Sequence, residues 1–192
     1  MLGRLLSAVA LAALARGAYD QLVRGGLTVD LDLGRSLRPL GPFVVPIAAP
    51  RETVFEVVAA PYLGRTTRAL AEKLRVLERG EDMVLAAHFT KVGKRVATTV
   101  ETVRFERPER IHFRLVRGPV PHVVEQFAFE ETREGTELTY TGELGTDLWV
   151  VGRAWGDQVA RRWEAAVRKS LEAVRVEAER QASRSGSVPG GE

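Results

Sequence analysis

Between residues 74 and 145 the chain adopts a two-residue period and holds it through six consecutive segments. These are 74–80, 83–91, 94–106, 110–117, 122–132 and 136–145, and each reads as a strand. The breaks between them are brief: "RGED" at 79–82, "KVGKR" around Gly93, "ERPER" around Pro108, "RGPVP" around Pro119 and "TREGT" around Gly135. Parallel neighbours need long crossovers, so turns this short join only antiparallel strands. One long helical period follows, from 153 to about 182. Its apolar stripe is Trp155, Val159, Trp163, Val167, Leu171 and Val174. Its other face carries Arg161, Glu164, Arg168, Glu172 and Arg175, a solvated face with Glu164 correctly placed for Arg168. A sheet must bury one face, and this helix offers the large apolar partner. The sheet is therefore expected to curl around it.

Upstream lies "PFVVPIAA", a β-branched run that reads as the first core strand. Pro46 within it predicts an edge position or a bulge. Next comes "IAAPRETVFEVVAAP". Pro50 suits the first position of a helix, Glu52 favours the helix dipole, and Val54, Phe55, Val57 and Val58 make one apolar face. Pro61 is expected to end that helix. "YLGRTTRALAEKL" reads as a second short helical segment. Before all of these, "LTVDLDLG" alternates as a short strand or extended arm, and "RPLGP" reads as a turn. The expected divisions are an apolar helix and arm over 1–41, a ligand-binding domain over 42–182, and a disordered Gly/Ser/Pro tail over 183–192.

Residues 1–24 allow several readings. The apolar run Leu5–Ala15 is shorter than the about 20 residues that span a bilayer. Leu2, Leu5, Leu6, Val9 and Ala13 follow amphipathic helical spacing, and Leu22 and Val23 extend it. Such a helix docks on its own domain or lies in a membrane interface. Ala13-Leu14-Ala15 also fits a signal-peptide cleavage site, and this alternative stays open. The expected compartment is the cytoplasm, with peripheral membrane contact through residues 1–24 as the variant.

Composition removes some classes of chemistry. The chain has no cysteine, which excludes disulfides, thiolate metal sites and a Cys nucleophile. The net charge is +3, with basic residues interleaved among Asp and Glu, so no nucleic-acid partner is expected. "RGG" at 24–26 precedes no helix and makes no phosphate loop.

The order of one strand, two short helices, six strands and a long helix resembles the helix-grip (SRPBCC) superfamily. That group includes START lipid-transfer domains, polyketide cyclases and dehydrases, and pollen-allergen-like carriers. The resemblance rests on "IAAPRETVFEVVAAP", "VETVRFERPERIHFRLVRG", "FAFEETREGTELTYTGEL" and the tryptophan-bearing long helix, and covers about residues 43–182. It implies an α+β fold, with a curved antiparallel sheet of about seven strands gripping the C-terminal helix. It also implies a cavity between sheet and helix that holds an apolar or amphipathic small molecule or lipid. The superfamily contains both enzymes and carriers, so function has to be argued from the site.

Strand alternation proposes the inward face. Met83, Leu85, Ala87 and Phe89 share one face, which turns His88 outward. Ile111, Phe113 and Leu115 share another, which turns His112 outward. Val123, Glu125, Phe127 and Phe129 point inward, as do Leu138, Tyr140 and Leu144. Glu101 points in if Val103 and Phe105 do, and out if Val96 and Val100 do. The expected lining is Phe89, Phe113, Leu115, Glu125, Phe127, Tyr140, Trp155 and Val159. Trp163 is assigned to the core, and Trp155 is open between core and lining.

With all three histidines outside or at strand ends, neither a metal site, nor a Ser-His-Asp triad, nor a cofactor is expected. Glu125 is the residue of interest. In an apolar cavity its pKa rises, which suits proton transfer or a hydrogen bond to a polar head group. The structural alternative pairs it with Arg104 or Arg114, or leaves it in water at the mouth. Tyr140 likewise reads as an acid–base partner or as core. Binding or transfer of a hydrophobic molecule leads, because no convergent polar constellation is legible. A cyclase- or dehydratase-type enzyme using Glu125 and Tyr140 is the first alternative. A membrane-tethered interaction module with a filled pocket is the second.

Overall fold

The computed structural model describes residues 2–64 and 72–185, with side chains from Val9 onward. Its elements are α1 (Leu2–Arg24), β1 (Ser36–Ile47), α2 (Arg51–Leu63), β2 (Leu74–Arg79), β3 (Met83–Val92), β4 (Arg95–Glu106), β5 (Arg110–Arg117), β6 (His122–Thr132), β7 (Gly135–Thr146) and α3 (Trp149–Ser185). The strands form one antiparallel sheet in the order β1-β7-β6-β5-β4-β3-β2. The six meander strands fall where the two-residue period puts them. β1 returns to pair with β7, from Ser36 opposite Thr146 to Ile47 opposite Thr136. This is the helix-grip architecture, with α3 against the concave face.

β1 starts at Ser36, ahead of the apolar run that announces it, and its register shifts between Leu40 and Phe43. It is an edge strand, which accommodates Pro39, Pro42 and Pro46. α2 begins after Pro50 and buries Val54, Phe55, Val58, Ala59 and Tyr62 along one face. Pro61 does not end it. The helix runs on to Leu63, and Gly64 N–H closes it on the Ala60 carbonyl at 2.9 Å. Within the last turn the missing Pro61 N–H removes only the bond to the Val57 carbonyl. Burial of Tyr62 beyond it holds the turn. The second short helix expected over 62–74 falls largely on residues 65–71, outside the described residues.

α3 begins at Trp149, before the stripe that predicts it, and extends to Ser185. It buries small residues, Gly152, Gly156, Ala160 and Ala178, beside Val159 and Leu171. A Cβ on Gly156 would already lie 3.0 Å from the Thr146 hydroxyl, so glycine there lets the helix approach β7. Of the tail expected to be disordered, 183–185 are helical and 186–192 lie outside the described residues.

The segment between α1 and β1 is an extended arm pinned by one carboxylate. Asp147 accepts from Leu31 N–H at 2.5 Å, Asp32 N–H at 2.8 Å and Arg35 Nε at 2.7 Å. The Arg35 bond, reinforced by the two backbone donors, lowers the Asp147 pKa to about 2. Gly34 adopts φ of 60°, and a Cβ there would stand 2.3 Å from the Trp149 ring.

Among the described side chains, α1 docks by its C-terminal end. Val23 is buried, Tyr19 meets Trp155 edge-on at 5.9 Å, and Asp20 pairs with Arg95. From Val9 to Ala18 every residue is exposed. From Val9 onward the expected amphipathic stripe is not sustained, because Leu11 and Leu14 fall on the opposite side of the helix from Val9. Among the described residues no helix is long and apolar enough to cross a membrane.

Candidate functional site: two buried carboxylates joined by aromatic rings

Glu125 sits mid-strand in β6, opposite Phe113 of β5 and Gly142 of β7. It is 7% exposed. Tyr140, two residues before Gly142 on the same face, donates its hydroxyl to Glu125 Oε1 at 2.6 Å. Trp163 Nε1 of α3 donates to the same oxygen at 2.7 Å. Gly142 makes the arrangement possible, because a Cβ there would lie 3.1 Å from Glu125 Cγ and 3.2 Å from the Tyr140 hydroxyl. The carboxylate therefore has two neutral donors. Among the described residues no arginine or lysine forms an ion pair with it, so the expected pairing with Arg104 or Arg114 does not occur. Arg104 instead pairs with Glu106.

Glu101 is the second buried carboxylate, 6% exposed, on β4 opposite Ala86 and Leu115. β4 pairs with β3 without a break, so Glu101 shares the face of the buried Val103 and Phe105. On the β5 side Val100 pairs with Arg117 but Glu101 with Leu115, which makes Val116 of β5 an extra residue. Val103 and Phe105 then point inward with Glu101. On β3 the phase is the reverse of the expected one. Val84 and Ala86 are buried, and His88 joins them on the concave face. Its Nε2 lies 3.0 Å from the Tyr62 hydroxyl, and its Nδ1 lies 3.3 Å from Glu101 Oε2. The second contact is close in distance but lacks hydrogen-bond alignment, which leaves Nδ1 buried without a partner among the described residues.

Phe89, expected in the lining, consequently lies on the opposite face. The reason is that both faces of β3 are partly apolar, and Tyr62 from α2 selects the one it covers. His112 and His122 stay outward, beside Glu106 and Glu143.

Rings connect the two carboxylates. Phe43 stacks on Tyr140 at 5.5 Å; Tyr140 meets Phe127 at 5.3 Å, Phe127 meets Phe113 at 5.4 Å, and Phe113 meets Tyr62 at 5.8 Å. Tyr62 then meets the His88 ring at 5.8 Å. Leu115 and Val159 complete the buried set. Trp155 packs at the margin of this core: its Nε1 donates to the Pro119 carbonyl at 2.8 Å, and its ring meets Tyr19 of α1 edge-on. The structure thus brings Glu125, Tyr140, Phe113, Phe127, Leu115 and Val159 together, sets Trp155 at their margin and leaves Phe89 on the other face. Sequence reasoning missed Trp163, His88 and Tyr62 as polar contributors. Trp163 had a readable signal, since a buried carboxylate needs donors and this indole lies on the helix stripe facing the sheet.

Burial raises the pKa of Glu125 to about 7, the charge of Glu101 adds to the rise, and the Tyr140 and Trp163 bonds oppose it. Burial also raises Glu101 to about 7, with a Thr99 hydrogen bond opposing. It lowers His88 to about 4. Tyr62 is raised by burial and by the two carboxylates, and Tyr140 by burial and by Glu125. At neutral pH, then, His88 is neutral and each carboxyl exchanges a proton readily. Because both donors bind Oε1, a protonated Glu125 carries its hydrogen on Oε2. The group offers a donor when protonated and an acceptor when ionised.

Two open surface clefts lie elsewhere. One of about 360 Å³ is lined by Ala48–Arg51, Glu131, Thr132, Glu134 and Gly135. The other, about 270 Å³, lies between Pro42–Val45 and Arg168, Leu171 and Glu172. Neither touches the carboxylates, and the chemistry locates the site better than surface concavity does. Among the described residues no cluster of acids and histidines is arranged to hold a metal ion.

Residues 43–179 match the family described as polyketide cyclase / dehydrase and lipid transport. The chain belongs to this family. The family member shares its fold with the Zhui aromatase/cyclase from Streptomyces sp. R1128, at 21% identity and a TM-score of 0.56, over 82% of this chain and 100% of that one. It is also similar to the di-domain ARO/CYC BexL of the BE-7585A biosynthetic pathway, at 18% identity and a TM-score of 0.54, over 93% of this chain and 57% of that one. The di-domain ARO/CYC StfQ of the steffimycin pathway gives 15% identity and a TM-score of 0.53, over 81% and 52%. No curated protein matches the chain.

Proposed function

We propose that this protein binds, and passes on, an apolar or amphipathic small molecule or lipid between the concave face of the sheet and α3, with Glu125 as the polar anchor. The observation that carries this reading is Glu125 itself: a carboxylate buried among aromatic rings and held at one oxygen by Tyr140 and Trp163. A buried carboxylate with no cationic partner lowers stability, so a chain that keeps one gains something else from it. A ligand hydroxyl or carbonyl at Oε2 supplies that gain. Membership of a family described by cyclase, dehydrase and lipid-transport functions supports the same reading.

A second reading is acid–base catalysis of the cyclase or dehydratase type. Glu101 and His88 favour it, because they add a second proton-handling group at the far end of the same aromatic row. The expectation from sequence counted Glu125 and Tyr140 alone, and Tyr62, His88 and Glu101 make a second polar group beyond them.

Native mass spectrometry of the purified chain, followed by extraction, tests binding. A bound species of defined mass is the expected result. A homogeneous ligand-free mass, with no uptake of an apolar fluorescent dye, would leave a filled interior and sink both readings. Glu125→Gln then separates them. A carrier keeps its ligand to within a few-fold, whereas an enzyme loses turnover by a factor of ~10² or more.

A further inference from the structure

Between Val9 and Ala18 the first helix takes no part in the interior. We infer that α1 is a membrane foot, which inserts into the headgroup and outer acyl region of an anionic lipid surface and holds the domain against it. Val9, Leu11 and Leu14 are 66%, 67% and 72% exposed, and no residue between Val9 and Ala18 is covered. Because these side chains point to different sides of the helix, a single protein face cannot bury them all. A medium that surrounds the helix can. The run is too short and too rich in alanine to cross a bilayer, so it enters one side only.

The charges fit an anionic surface. The sequence carries Arg4 and Arg16 but no acidic residue before Asp20, and Asp20 is already paired with Arg95. Arg16 closes the apolar stretch at the level where the domain begins, which is where an arginine reaches headgroup phosphates. Immediately beyond it, Tyr19 and Asp20 fasten the helix to Trp155 and Arg95. Gly25 packs on the backbone of Thr98 and Gly118, and Thr28 donates to the Gly118 carbonyl at 2.6 Å. The anchored end is therefore clamped to the β3–β4 and β5–β6 end of the sheet. The arm then leads to further exposed apolar groups, Leu31 and Leu33 beside Trp149, Val150 and Val151.

Flotation of the full chain with phosphatidylcholine vesicles, with and without phosphatidylglycerol, tests this. Binding is expected to be tighter with the anionic lipid and to weaken with salt. Leu11→Asp combined with Leu14→Asp should reduce it by about tenfold or more, since each places a charge in the inserted stretch. The thermal midpoint of the double variant should not move, because neither side chain packs on the domain. Absence of flotation with either vesicle, or undiminished flotation of the double variant, overturns the inference. So does lipid-free self-association in sedimentation velocity that the double variant abolishes without any flotation, because a second copy would then cover the helix.

Discussion

A Cβ on Gly142 would stand 3.0 Å from the Val124 carbonyl oxygen as well as against Glu125 and Tyr140. The carbonyl belongs to the ladder and cannot step aside. Gly142→Ala is therefore expected to destabilise the protein by ~1–3 kcal/mol in urea unfolding, although alanine ordinarily improves a strand glycine. Gly17→Ala in α1, with nothing within 4 Å, should show no such loss. Protonation gives a second expectation at this scale. Burial lifts Glu125 and Glu101 from 4.5 to about 7. A raised folded-state pKa gives stability that is full below about pH 4.5 and is lost as pH climbs through 7. Glu125→Gln removes one of the two titrations while its side-chain oxygen can still accept from Tyr140 and Trp163. Near pH 8 the variant should be more stable than the parent by ~1–3 kcal/mol, and the gap should narrow toward pH 5. Identical pH slopes for the two proteins in denaturant titrations would show that Glu125 ionises normally.

At the scale of elements, the arm depends on Asp147. The Arg35 bond and two backbone donors depress its pKa, so its contribution is present above about pH 4 and declines as pH falls toward 2. Asp147→Asn should free residues 28–35, with faster amide exchange there and unchanged protection in β5 to β7; the cost is ~1–2 kcal/mol, because Arg35 is partly solvated. The contrast between arm and sheet shows what the sequence could express. Strands β2 to β7 were legible because each turn carries Gly or Pro at its break and the two-residue period is local. Glu125 and Tyr140 were legible as inward residues for the same reason. The inward face of β3 was not, because Met83, Leu85 and Phe89 compete with Val84 and Ala86, and the decision comes from Tyr62 on a distant helix. The phase of Glu101 stayed open in the sequence because both faces of β4 carry valines, and burial of Val103 and Phe105 decides it. Asp147 looked like any acidic residue until the fold brought the arm to it.

At the scale of the molecule, β1 and β2 end the seven-stranded sheet. β1 is the longer, and Pro39, Pro42 and Pro46 remove three N–H donors from its twelve residues. An incoming strand would find gaps in the ladder where it needs bonds. The double variant Pro39→Thr/Pro46→Thr is expected to scatter more light on concentration and heating than the parent, without loss of the native circular dichroism spectrum at low concentration. Prolines spaced along β1 deny an incoming strand a continuous ladder, so meetings between copies are expected to stay reversible instead of hardening into fibrils.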